Sequence, residues 1–171
     1  MKISVRELVI FAVFAALMFV SKFLMQILPN IHLLGMFIVA LTVVYRAKAL
    51  LPIYVYVFLD GLFHGFALWW IPYIYIWAVL WAFVMLLPKN MSTESQLLIY
   101  PFISALHGIL FGVLYAPFQA IAYGLNFEGM ISWIIVGLPF DITHAISNLI
   151  TGFAIVPIIK TIRLCENKKT S

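Results

Sequence analysis

Charged side chains are what this sequence has least of: they make up 9% of its 171 residues, against 65% hydrophobic ones. A soluble globule uses about a quarter charged residues to cover its surface. That deficit, with a mean hydropathy of +1.13, excludes a water-soluble domain and implies a bilayer as solvent. Cysteine is nearly absent too. The single Cys165 rules out an internal disulfide and supplies no thiolate metal site. No hydrophilic stretch is long enough to fold separately; the longest, "PKNMSTESQ" at 88–96, reads as a loop, so residues 1–171 form one domain. Internal repeats and low-complexity segments are missing. There is no G-x-x-x-x-G-K-[ST] phosphate loop, so the chain has no means of hydrolysing ATP itself, and neither G-x-S-x-G nor H-E-x-x-H occurs. The four histidines fall in four separate segments with no ligand spacing between them. The expectation is a non-enzyme without metal or cofactor.

What is present is oil in long runs. A membrane helix needs about 20 apolar residues. On that ruler the sequence predicts an all-α integral membrane protein, a bundle of six transmembrane helices over residues 7–28, 31–45, 49–66, 69–88, 97–123 and 138–161. The breaks are "LPNIH", "YRAKA", "FHGFALWW", "PKNMSTES" and "YGLNFEG". "GMISWIIVG" at 129–137 is apolar but short of a full span and reads as a re-entrant or interfacial loop covered by protein.

Charge placement gives the orientation. With the N-terminus inside, the inner segments hold Lys2, Arg6, Arg46, Lys48, Lys89, Lys160, Arg163, Lys168 and Lys169, nine of the ten cations, and the outer loops hold none. This is the positive-inside pattern, with both termini cytoplasmic, and it makes the chain a multi-pass protein of the cell membrane. The net charge of +4 is then an orientation signal, and no nucleic-acid partner is expected. The N-terminal stretch has the basic and apolar regions of a signal peptide but no A-x-A site, so it reads as a span.

The tenth cation, Lys22, falls inside the first span. Asp60 and His64 share a face near the outer end of the third. In "GLPFDITHAISN" (137–148), Asp141, His144 and Asn148 occupy one face of a helix that Pro139 would open. The intramembrane polar residues thus gather in the outer half, as in a cavity open to the outside, and such residues mark substrate or ion paths. Each also has a plain structural reading. Lys22 could snorkel to the headgroups, Asp141 could serve the helix dipole from position N3, Asp60 and His64 could brace two helices, and His107 fits a hydrogen bond to a neighbouring helix.

Aromatics crowd "LWWIPYIYIWAVLWAF" (68–83). Trp69, Trp70 and Tyr73 sit where an interfacial belt would lie. Trp70, Tyr73 and Trp77 also make one helical face that could stack a planar heterocycle, with core packing as the alternative. In the inner half of the first span, Ala12 and Ala16, with Ala15 beside them, form an A-x-x-x-A face that would let another helix approach closely.

Taken together, the six spans, inner termini, A-x-x-x-A face and polar outer end resemble the S component of an energy-coupling factor (ECF) transporter, as do "LPNIHLLGMFIVALTVVYRAKAL", "LWWIPYIYIW" and "GLPFDITHAISN". The resemblance covers essentially the whole chain. It implies a binding subunit that captures a vitamin or related micronutrient from outside. The alanine face of its first helix would dock on a transmembrane coupling subunit carrying two ATPases. By position, the ligand contacts it implies are Trp70, Tyr73, Trp77, Asp141, His144 and Asn148, beside the Lys22, Asp60 and His64 cluster. Two other classes stand beside it: a membrane scaffold of the cell-shape or wall-synthesis type, which would bind no vitamin, and an intramembrane enzyme using Asp141 and His144 as acid and base, which would turn a bound compound over.

Overall fold

The computed structural model describes residues 3–28 and 30–167. They form eight α-helices: α1 (Val5–Leu24), α2 (Leu34–Tyr45), α3 (Leu50–His64), α4 (Tyr73–Met85), α5 (Thr93–Ile109), α6 (Phe111–Tyr123), α7 (Phe127–Gly152) and α8 (Ile155–Asn167). Among the described residues, five stretches are long and apolar enough to cross a membrane: Val5–Leu24, Leu34–His64, Leu68–Met85, Thr93–Tyr123 and Phe127–Gly152. The chain is an α-helical, multi-pass membrane protein.

Side-chain pairs fix the directions of the helices. Lys48 Nζ meets Glu7 Oε1 at 2.5 Å and Lys22 Nζ meets Asp60 Oδ2 at 2.7 Å, so α1 and α3 run parallel. Phe11 packs on Tyr45 and Phe14 on Phe37, so α2 runs against α1. The Leu34–His64 stretch is therefore two antiparallel helices. Its reversal lies at Arg46, a non-glycine residue with φ of 52°, and is tied to α4 from both sides. The Arg46 guanidinium donates to the Met85 carbonyl (2.8 Å), and the Arg46 carbonyl accepts from Trp81 Nε1 (3.0 Å).

Ten of the twelve residues of α2 are buried, on all sides. A helix apolar all round belongs in the centre of a bundle, and α2 packs against α1, α4, α5, α7 and α8. At about 18 Å by helical rise it is shorter than a usual span, and both its end residues, Leu34 and Tyr45, are buried. The most extensive contact in the fold is α5 on α7, along a seam of small residues. A Cβ at Gly108 would lie 2.9 Å from the Ala145 backbone and one at Gly152 would lie 2.6 Å from Pro101 Cα; just beyond, on α6, one at Gly112 would run into the Asp141 carboxylate. Small side chains at this spacing let two helices approach to backbone contact.

Five expectations are corrected. Residues 129–137 are helix, the first part of α7; Asn126 caps it by accepting the Gly129 N–H (2.8 Å). Pro139 consequently lies inside α7 rather than at its start, and Asp141 is not at N3. A membrane helix tolerates such a proline; one turn on, Thr143 Oγ1 donates to the Pro139 carbonyl (3.0 Å). The expected 97–123 helix is interrupted at Leu110, and the last breaks at Phe153–Ala154. The first helix ends at Leu24 rather than 28, so Lys22 stands in its last turn.

Candidate functional site

Three adjacent cavities lie at the end of the bundle that carries Lys22. The first, about 240 Å³, is lined by Lys22, Gln26, His64, Trp69 and Tyr73. Asp60, with 0% side-chain exposure against 21% for Lys22, sits beneath it. The ammonium is bonded to that carboxylate and lies 4.6 Å from the Tyr73 ring centroid and 5.8 Å from that of Trp69, within cation–π range. Gln26 Nε2 and His64 Nε2 are hydrogen-bonded at 2.6 Å, and His64 Nδ1 lies 3.2 Å from Asp60 Oδ1. The geometry pairs Lys22 with Asp60, so Lys22 does not snorkel.

The second cavity, about 200 Å³, shares Lys22, Gln26 and Tyr73 with the first and adds Asn30, His32 and His144. His32 comes from the loop between α1 and α2, and its ring meets that of His144 edge-on at 4.5 Å. Burial pushes His32 down to about 3, helped by the charge of Lys22 and by His107, so its imidazole is neutral at physiological pH. His32 Nδ1 and His144 Nε2 are buried and have no hydrogen-bond partner among the described residues. Buried polar atoms in proteins are nearly always paired, and these two flank a cavity. His107 stands behind them and bonds the Ile76 carbonyl through Nε2 (3.0 Å), the helix-to-helix role expected of it.

The third cavity, about 330 Å³, shares Asn30 and Phe111 with the second and adds Tyr115, Trp133, Phe140 and Asp141. Asp141 accepts the Gly112 N–H at 3.1 and 3.2 Å, taking up a donor freed where the helix breaks between α5 and α6. Tyr115 is held by its hydroxyl, which donates to the Trp69 carbonyl (2.6 Å), and its ring stacks on Trp133. A larger recess of about 600 Å³ lies at the opposite end, between Arg6 and Glu166. There Arg6 donates to the Glu166 carbonyl and Tyr45 to Glu166 Oε1, so its polar groups are satisfied. The cavity-lining residues with unpaired nitrogens, His32 and His144, are at the Lys22 end.

Of the residues singled out in the sequence, Lys22, His64, Tyr73, Asp141 and His144 line these cavities. Trp70 turns away: its indole donates to the Val57 carbonyl (2.7 Å), a return path that Gly61 permits, since a Cβ there would sit 2.6 Å from Trp70 Nε1. Trp77 is fully buried behind Tyr73 and His107 and lines none of the three. Asn148 donates through Nδ2 to the Ser104 carbonyl (2.9 Å) and is part of the α5–α7 seam. Asn148→Ala should therefore lower stability by about 0.5–2 kcal/mol while ligand affinity stays within about twofold; a large loss of affinity at unchanged stability would overturn that placement. On α1, Ala12 and Ala16 face outward beside Val9, Val13 and Val20, whereas Ala15 is buried in the bundle.

Sequence reading missed Gln26, Asn30 and His32, which looked like a simple break, and Phe111, Tyr115 and Trp133. The available signals were the polar run in "QILPNIH" and the G-x-x-x-G of "GILFG" at 108–112. Among the described residues no group of His, Cys, Asp or Glu is placed to hold a metal ion. Flat rings, two unpaired imidazole nitrogens and a carboxylate around small cavities can bind a compact, ring-bearing molecule. No family model matches the chain, and no curated protein or solved structure matches it significantly.

Proposed function

We propose that this protein is the substrate-binding subunit, or S component, of an ECF-type importer, capturing a small vitamin-like compound from outside the cell. The observation that carries the reading is the convergence of Lys22, His32, Tyr73, Asp141 and His144, from three helices and a loop, on adjacent cavities at one end of the bundle. The described cations other than Lys22 favour the opposite end as cytoplasmic: Arg6, Arg46 and Lys48 make their contacts there. In this orientation the chain makes six passes, with α5 and α6 forming one and α7 continuing into α8, and both termini are inside. α1 lies at the periphery of the bundle with Ala12 and Ala16 exposed, a face flat enough for close approach of a coupling subunit that carries the two ATPases.

Two measurements test this. Mass spectrometry of the detergent-solubilised protein should find a stoichiometric small molecule; a scaffold yields none, and an enzyme yields turnover by the purified chain alone. Ala12→Trp and Ala16→Trp should each cut uptake by about tenfold while leaving ligand affinity unchanged and stability within about 0.5 kcal/mol, as for other surface substitutions. Normal uptake by both variants would reject α1 as the docking face.

A further inference from the structure

Asp141 is an isolated charge. Of the cations with described partners, Lys22 is bonded to Asp60, Lys48 to Glu7, Arg6 to the Glu166 carbonyl and Arg46 to the Met85 carbonyl. Asp141 has no cationic partner among the described residues; its contact is the single N–H of Gly112, shared between both oxygens. One long, bifurcated bond leaves most of the carboxylate's acceptor capacity directed elsewhere. A buried carboxylate in an apolar bundle is costly without a counter-charge, and this one is 5% exposed and lines a cavity.

The rest of that cavity answers the charge. Phe111, Tyr115, Trp133 and Phe140 line it. The Phe111 and Tyr115 ring centroids are 6.1 Å apart, and Tyr115 and Trp133 lie 5.8 Å apart with planes within 17°. Aromatic faces carry negative potential and attract cations, most strongly where water is excluded. Among the described residues, no lysine or arginine lines this cavity. Against the Asp141 carboxylate an anion would find only the neutral amides of Asn30 and Gln119, whereas a cation meets the carboxylate and the ring faces together.

We infer that the Asp141 cavity takes a small organic cation, a compound of one or two rings bearing a quaternary or protonated nitrogen. The nitrogen sits between the Asp141 carboxylate and the Tyr115–Trp133 wall, and the rest of the molecule extends past Phe111 toward the unpaired nitrogens of His32 and His144. The inference rests on the binding-subunit reading and narrows it to a charge class. It also gives Gly112 a purpose, because any side chain there would displace the carboxylate.

The experiment is equilibrium binding of three shape-matched probes to the full-length protein in detergent: 1-methylnicotinamide (cation), nicotinamide (neutral) and nicotinate (anion). The cation should bind about tenfold or more tightly than either of the others. Asp141→Asn, which keeps the acceptor for Gly112 but removes the charge, should abolish the preference while leaving nicotinamide binding within about twofold. Trp133→Leu should weaken the cation about threefold more than the neutral probe, and serves if the Asn variant does not fold. Equal or weaker binding of the cation by the wild type, including none, overturns the assignment, as does a preference that survives in both variants. The two failures separate through the co-purifying compound. A neutral or anionic molecule bound at stoichiometry would sink the cation and leave the binding subunit standing, whereas no bound molecule and no uptake would sink the subunit itself.

Discussion

Lys22→Met should destabilise the protein by about 3 kcal/mol, the lower part of the range for breaking a buried ion pair. Asp60 is completely buried and Lys22 is its close counter-charge, at 2.7 Å. Methionine fills the volume of the lysine stem, so what is lost is the charge and its hydrogen bond. The figure stays at the lower end because Lys22 retains 21% exposure at the cavity mouth, where water reaches the stranded carboxylate. His64, 3.2 Å from Asp60 Oδ1, also stands ready to take up part of the charge. The check is a double-mutant cycle with Asp60→Asn, read by unfolding in detergent. The double variant should be closer to the wild type than Lys22→Met is, because removing both charges leaves none buried. A Lys22→Met loss within about 0.5 kcal/mol would mean that the pair contributes nothing.

Gly108→Leu should have a comparable or larger effect, about 3 kcal/mol or more, by a different route. Overpacking usually costs about 1–3 kcal/mol because neighbouring side chains shift. At Gly108 the obstructing atoms are the Ala145 backbone and the His144 carbonyl carbon, at 2.9–3.0 Å from the first added carbon alone. Backbone cannot rotate aside, so α5 and α7 must separate. That separation withdraws Asp141 from Gly112 and His144 from Phe111, which are 5.0 Å apart at their ring centroids, so ligand binding should fall together with stability. Gly108→Ala should lose less of both, in proportion to its volume. A leucine variant that unfolds like the wild type would show that the seam is not in close contact.

How much of this was legible in the chain varies from residue to residue. The bilayer solvent followed from the shortage of charge, and the concentration of polar side chains toward one end followed from positions 22, 60, 64, 141 and 144, because helical rise alone sets their depth. The partners did not follow. Asp60 and Asp141 both lie toward the Lys22 end, and it is the parallel packing of α1 with α3 that pairs Lys22 with Asp60. Trp70, Trp77 and Asn148 share faces with cavity residues, yet face-sharing fixes a direction around one helix and says nothing of what the next helix brings there. Trp70 is turned away by the Val57 carbonyl, and Asn148 is taken by the Ser104 carbonyl.

The α7 boundary shows the same division. Pro139 reads locally as a helix start because its ring removes a donor and fixes φ, but the Asn126 cap begins the helix earlier and carries it through. By itself the sequence determined the solvent, the helical class and the end of the molecule where polar groups collect, since these depend on composition and on distance along a helix. The tertiary structure alone decided which groups are paired and which are left over, among them Asp141 and the nitrogens of His32 and His144, because pairing depends on contacts between residues far apart in the chain.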